Sequence, residues 1–204
     1  MFAIGHFSLG YLLGTATSKI TKTRLNLALL FTVSVLPDAD LLLPNILAHR
    51  GPTHSLFFSL LIFLPVFALY RKKAIPYFIA LLSHSLIGDI YSNMEGTQLF
   101  WPLSSDWFAL AKISNTSLLS IGFELALFAV STVIMVFNKE FKQSIFKKTS
   151  RIYWLIPFGF ILAPLLLGGI DSIYYLPFLL IFPSIFYLAL FSLLIIGLNK
   201  IRKM

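Results

Sequence analysis

A chain of 204 residues that is 58% hydrophobic and only 12% charged, with a mean hydropathy of +0.87, is not composed like a water-soluble domain, which carries about 25% charged residues. The absence of cysteine excludes a disulfide framework and a thiolate metal site, so any bound metal must rest on His, Asp and Glu. A formal charge of +8 would point to nucleic acid in a soluble protein; here the basic residues are distributed as topology signals, and no nucleic-acid partner is expected.

The N-terminus lacks the basic region and small-residue cleavage site of a signal peptide, so His6 is expected to belong to the fold. Apolar segments at roughly 2–18, 20–36, 54–70, 74–93, 117–137, 152–170 and 174–198 predict an all-α fold. Since each crossing needs ~20 residues, the expected architecture is a polytopic transmembrane helical bundle of about five to seven membrane helices. The first two segments are short and read either as spans or as a hairpin that does not fully cross. Residues 1–204 are taken as a single membrane-embedded domain, with the motifs in 1–107 and hydrophobic helices over 117–198. Pro76, Pro157, Pro164, Pro177 and Pro183 lie within or near the ends of these segments, where a bilayer helix tolerates kinks.

Fourteen of the sixteen basic residues fall in alternate connections, at 19–24, 71–73 and 138–151 and in the tail from 199. The positive-inside rule places those connections in the cytoplasm, the N-terminus outside and the C-terminus inside. On that topology all four histidines and every acidic residue except Glu140 lie on the outer side, where Lys is almost absent. Ionisable groups at membrane depth are costly and mark functional sites. A merely water-facing surface would use Lys and Glu as readily as His and Asp.

The densest chemistry runs from Leu36 to Ser55: Leu-Pro-Asp-Ala-Asp, a short apolar run, then His-Arg-Gly-Pro-Thr-His-Ser. Carboxylate oxygen and imidazole nitrogen are the ligand mixture for zinc, manganese or iron. His6, His84 and Asp89 arrive at the same level from other segments. Glu124, about two turns into the fifth long segment, reads as an interhelical hydrogen bond before the alternatives of a partner for Arg50 or a metal ligand; Trp101 and Trp107 read as interface-belt aromatics.

These residues carry a resemblance. Gly5-His6, Leu36-Pro37-Asp38-Ala39-Asp40, the run from His49 to Ser55, Ser83-His84 with Asp89, and Leu99-Phe100-Trp101-Pro102 resemble the small inner-membrane proteins described as membrane-bound metal-dependent hydrolases. The order of motifs matches to about residue 107. The family usually spaces the His and Asp of the fourth segment four residues apart; here His84 and Asp89 are five apart, about 140° around an ideal α-helix. A π-bulge near Gly88, an unwound helix end, or a supporting role for Asp89 would each accommodate the extra residue. A fainter likeness, in order and type of ligand, is to zinc-dependent phospholipase C.

The resemblance implies a hydrolase with a divalent metal, most simply zinc, in which His6, Asp38, His54, His84 and Asp89 are candidate ligands. Asp40, His49 and Arg50 are candidate catalytic groups: Asp40 as orienter or general base, His49 as general acid or simple loop residue, Arg50 as a bidentate grip on phosphate or carboxylate. The expected substrate is a lipid or another phosphate ester or ester, met at the outer face of the cell membrane. The alternatives are a metal transporter, which would need polar residues continuing to the inner side, and a structural membrane protein with a closed metal site.

Overall fold

The computed structural model describes residues 1–43, 46–91, 95–138, 151–167 and 177–196. Seven α-helices lie among them: α1 (Ala3–Thr21), α2 (Leu27–Ser34), α3 (Leu56–Tyr70), α4 (Ile75–Ser83), α5 (Leu118–Phe137), α6 (Leu155–Leu167) and α7 (Phe178–Ile196). Short 3-10 turns cover Leu36–Leu42, Pro52–His54, Arg71–Ala74 and Arg151–Trp154, and His84–Asp89 is a π-helical turn continuing α4. The described residues contain no strand, only one isolated bridge between Thr97 and Phe108. Most of the basic connection at 138–151, with Glu140, and the tail from 199 lie outside the described residues.

Helix starts follow local chemistry. The Asn26 side chain accepts from the Leu29 amide, Ser55 from Phe58 and Ser117 from Ser120, so three helices have side-chain N-caps. Pro76 occupies the first turn of α4, where a missing N–H costs nothing, while Pro65 and Pro183 sit inside α3 and α7 without ending them. Helices α5 and α7 are long and apolar enough to cross a membrane. With 8 residues, α2 is roughly 12 Å long and does not reach across a ~30 Å hydrocarbon layer by itself.

Helices α1 and α2 are antiparallel and touch closely. A side chain at Gly10 would collide with Ser34, and one at Gly14 with Leu30, so this small-xxx-small face sets their separation. Beneath it, Phe7, Tyr11, Phe31, Trp154, Tyr187 and Phe191 form an aromatic core, with Phe7 edge-on to Phe31 at 5.6 Å and to Phe191 at 5.4 Å. The Ser8 and Tyr187 hydroxyls pair at 3.0 Å within it. Because α1 and α3 begin, and α2 and α4 end, at the same end of the bundle, that end collects His6, Asp38, His54 and His84. Lys19, Lys22, Arg24 and Arg71–Lys73 fall at the opposite end.

Candidate metal centre

Each donor reaches the site from a different element. His6 stands in the second turn of α1, Asp38 and Asp40 on the 3-10 turn after α2, His54 at the end of the turn before α3, and His84 and Asp89 at the two ends of the π turn. In that turn the Ile90 amide bonds the Ser85 carbonyl, five residues back. Of the three ways to accommodate a five-residue spacing, the backbone adopts the π-bulge, and it puts His84 and Asp89 on one face. Gly88 within it has to be glycine, because a Cβ there would enter the His6 ring.

Four ligand atoms converge. His54 Nε2 lies 3.1 Å from His84 Nε2, 3.5 Å from Asp38 Oδ1 and 3.2 Å from Asp89 Oδ2. His84 Nε2 is 3.4 Å from Asp38 Oδ1 and 3.3 Å from Asp89 Oδ2. His54 and His84 are wholly buried, Asp89 is 1% exposed and Asp38 8%. Asp89 Oδ2, the oxygen facing both imidazoles, has no hydrogen-bond partner among the described residues.

The protons of these rings are placed by their outer contacts. His84 Nδ1 is 2.8 Å from the Ser34 carbonyl oxygen, which only accepts, so Nδ1 carries the hydrogen and Nε2 presents its lone pair inward. Thr53 Oγ1 donates to Asp40 Oδ2 at 2.8 Å and sits 3.1 Å from His54 Nδ1, leaving its own lone pair to accept from that nitrogen. Asp40 Oδ2 stands behind at 3.3 Å. Both Nε2 atoms therefore face two carboxylate oxygens and each other. Four acceptors at this spacing repel unless positive charge sits among them. The cluster can hold a metal ion.

The Asp38 carboxyl shows the same demand for positive charge: burial would raise it, but charge on His84 and hydrogen bonding from His54, which without an ion require protons on those Nε2 atoms, outweigh burial and hold Asp38 well below the usual carboxylate range. Asp40 behaves likewise: burial raises it, while hydrogen bonding to His49 and His54 holds it ionised far into the acid range.

The other expected residues take distinct places. Asp40 is the hub of the motif loop, accepting from His49 Nδ1 at 3.0 Å, the Arg50 amide at 3.0 Å and Thr53. Asp40, His49 and His54 form a second convergent group, but Asp40 is already engaged by these donors, which fits a supporting carboxylate better than a free ligand. His49 is about a third exposed at the rim. Arg50, at φ 63°, brings Nε to 3.5 Å from Asp89 Oδ1, which also accepts from the Met1 amino group at 3.0 Å. His6 is not one of the four: it stacks on His84 with ring centroids 3.6 Å apart, and its Nε2 is 3.6 Å from Asp89 Oδ1.

Sequence reasoning assigned no role to Thr53, although it lies inside the most specific motif, nor to the Ser34 carbonyl, which a backbone atom cannot advertise in sequence. Glu124 makes the contact expected of it in kind: buried in α5, it accepts from the Phe2 amide at 3.0 Å and so ties the start of α1.

Comparisons with known proteins place the chain among inner membrane proteins. The chain is 34% identical over 106 residues to the inner membrane protein YbcI of Escherichia coli K12, a match covering 45% of this chain and 61% of that protein, so less than two thirds of the relative's length is spanned. No solved structure matches. The YdjM inner membrane protein family matches over residues 1–172, a stretch that contains every donor described above, and the chain belongs to that family.

Proposed function

We propose that this protein is a metal-dependent hydrolase of the cell membrane, acting at the outer face on a phosphate ester or other ester, most simply that of a lipid. The observation that carries this reading is the inward convergence of two imidazole lone pairs and two carboxylates. The edges of a tetrahedron around zinc, with ligands about 2.0–2.1 Å from the ion, are roughly 3.3–3.4 Å. The five short separations here, 3.1 to 3.5 Å, bracket that value. Zinc therefore suits the cage, and manganese or iron would accept the same donors.

A divalent ion held there by four protein donors would have to take water or substrate at a fifth position, where it would supply Lewis-acid polarisation of the scissile group and a water acid enough to attack near neutral pH. The chain's own residues do the rest. Asp38, His54, His84 and Asp89 hold the charge, and Thr53 with Asp40 orients His54 through its Nδ1. Arg50, beside Asp89, faces the site with a planar guanidinium suited to a phosphate or carboxylate. His49, open to solvent and bonded to Asp40, is placed to exchange a proton with the leaving group. His6, stacked on His84, walls the cage and is the reserve ligand.

The topology belongs to the same proposal. Residues 1–204 form one membrane-embedded unit with five to seven spans, its site end outside and its basic end cytoplasmic. Burial favours one second reading, a closed structural metal centre, because four protein donors that exclude solvent are what such sites show.

One experiment separates them. The purified protein is loaded with cobalt(II), and its visible spectrum is recorded with and without inorganic phosphate, alongside hydrolysis of phospholipids and lipid phosphates in mixed vesicles. A phosphate-dependent spectral change and turnover abolished in His54→Ala support the hydrolase. Stoichiometric metal with neither effect establishes the structural reading.

A further inference from the structure

The rim of the metal centre is apolar, although it lies outside the long helices. On one side the 3-10 turn that carries Asp38 and Asp40 runs into Leu41, Leu42 and Leu43, which are 40%, 52% and 46% exposed. On the other, Phe100, Leu103 and Phe108 are 42%, 94% and 43% exposed.

The segment carrying those three packs directly on the motif loop. The Gln98 amide donates to the Arg50 carbonyl at 3.0 Å, and the Leu56 amide donates to the Leu99 carbonyl at 3.0 Å. Thr97 and Phe108 exchange both backbone hydrogen bonds at 2.8 Å, closing the segment into a fixed loop. Its apolar residues are thus held outward by backbone bonding, and Phe100 meets Phe108 edge-on at 5.1 Å.

Large apolar groups clustered outward on a fixed loop mark a surface that something apolar covers. Two observations say what covers this one. Trp101 packs on Phe57 with ring centroids 6.1 Å apart, and Phe57 opens the outward face of α3, where Leu60, Leu61 and Leu64 are 43%, 59% and 59% exposed. The rim is therefore continuous with a helix face directed away from the protein, which in an inner membrane protein is the lipid face. The loop is also two-sided: Ser105 and Asp106 are exposed at its tip and Ser104 is half-buried beside them, its hydroxyl donating to Asp106 Oδ2 at 2.7 Å. An apolar side beside a polar tip is the pattern of a segment lying in the headgroup boundary.

We infer that residues 97–110 and 41–43 rest in the surface of the bilayer, so that the side of the metal centre where Arg50 and Asp38 each keep 12% side-chain exposure lies at the level of lipid headgroups and receives an amphiphile laterally from the membrane. This rests on the hydrolase reading only for the word substrate; the placement of the rim stands without it.

The chain has no cysteine, so single probes can be introduced cleanly. Leu103→Cys and Ser105→Cys, both at exposed positions whose packing is not disturbed, are labelled with a nitrobenzoxadiazole fluorophore and reconstituted in phosphatidylcholine–phosphatidylglycerol vesicles. Spin-labelled acyl chains should quench position 103 several-fold more than 105, and aqueous iodide should show the opposite order. Equal quenching at the two positions, or iodide reaching 103 freely, overturns the inference. Protection of 103 from both quenchers that disappears on dilution with lipid overturns it in favour of a second copy of the chain.

A further arm reads function. Leu103→Glu should lower hydrolysis of long-chain lipids several-fold, with metal content and turnover of a short-chain soluble ester unchanged; equal loss on both substrates refutes lateral entry. If the unaltered protein hydrolyses nothing, the hydrolase reading fails and the quenching result still decides the rim.

Discussion

His54 works through two nitrogens in two directions: Nδ1 is held by Thr53 and Asp40, and Nε2 faces His84, Asp38 and Asp89. Replacing it with alanine should abolish stoichiometric metal, as should Asp38→Ala, measured by elemental analysis of purified protein. Arg50→Ala should keep the metal and lose turnover, because a guanidinium that never deprotonates is no ligand. Removing the outer support, as in Thr53→Val, should weaken metal affinity by about 10–100-fold without changing stoichiometry at saturation. Asp40 carries a pH prediction. Its folded-state pKa is depressed below the ordinary value of 3.8, so its contribution to stability is complete above that value and is lost as pH falls through the folded pKa. Thermal unfolding of the metal-free protein in detergent should show an acid-side decline that is reduced in Asp40→Asn.

Among the elements, the π turn is the one whose geometry brings Asp89 to the cluster that could hold a metal ion. Five residues separate His84 from Asp89, and the i→i+5 bonding of the turn compensates for them. Deleting Leu86 should return the segment to an α-helix with the pair four residues apart, about 40° around the axis, and keep the metal. Inserting one alanine at the same point makes the spacing six, about 240° around, and should lose it. Metal content with circular dichroism of both variants checks this; retention in the insertion variant would show that Asp89 is not needed. The close α1–α2 contact has the same structural logic, since Gly10 against Ser34 sets the position of the carbonyl that fixes His84.

At the scale of the molecule, the bundle sorts its charges by end. The donors occupy one end, and Lys19, Lys22, Arg24 and Arg71–Lys73 the other. In intact cells, a membrane-impermeant thiol reagent should label a cysteine at Ser105 and miss one at Lys72; the reverse pattern removes the outer-face site from the proposal. Companion positions at Asn45 and Gln143 lie outside the described residues. The transporter alternative calls for polar residues continuing toward the basic end, and below the cluster α1 buries the hydroxyls of Ser8, Tyr11, Thr15 and Ser18 among Phe7, Leu30 and Phe31, with no further carboxylate or imidazole beside them among the described residues.

Hydrophobicity and residue type were local properties, and the sequence alone determined what depends on them: a helical membrane chain, the helix-rich segments, and an unusual gathering of His and Asp. Periodicity along one chain says nothing about which atoms of separate segments meet. That His6 lies beside the cage while Asp89 lies within it, that Asp40 supports His54, and that a backbone carbonyl sets the His84 tautomer all depend on how closely α1, α2 and α4 approach. The five-residue spacing was visible in the sequence, but two backbone solutions, and a supporting role for Asp89, were open to it. Only packing selected the π turn, because Gly88 leaves room for the His6 ring at the point where an added Cβ would collide with it.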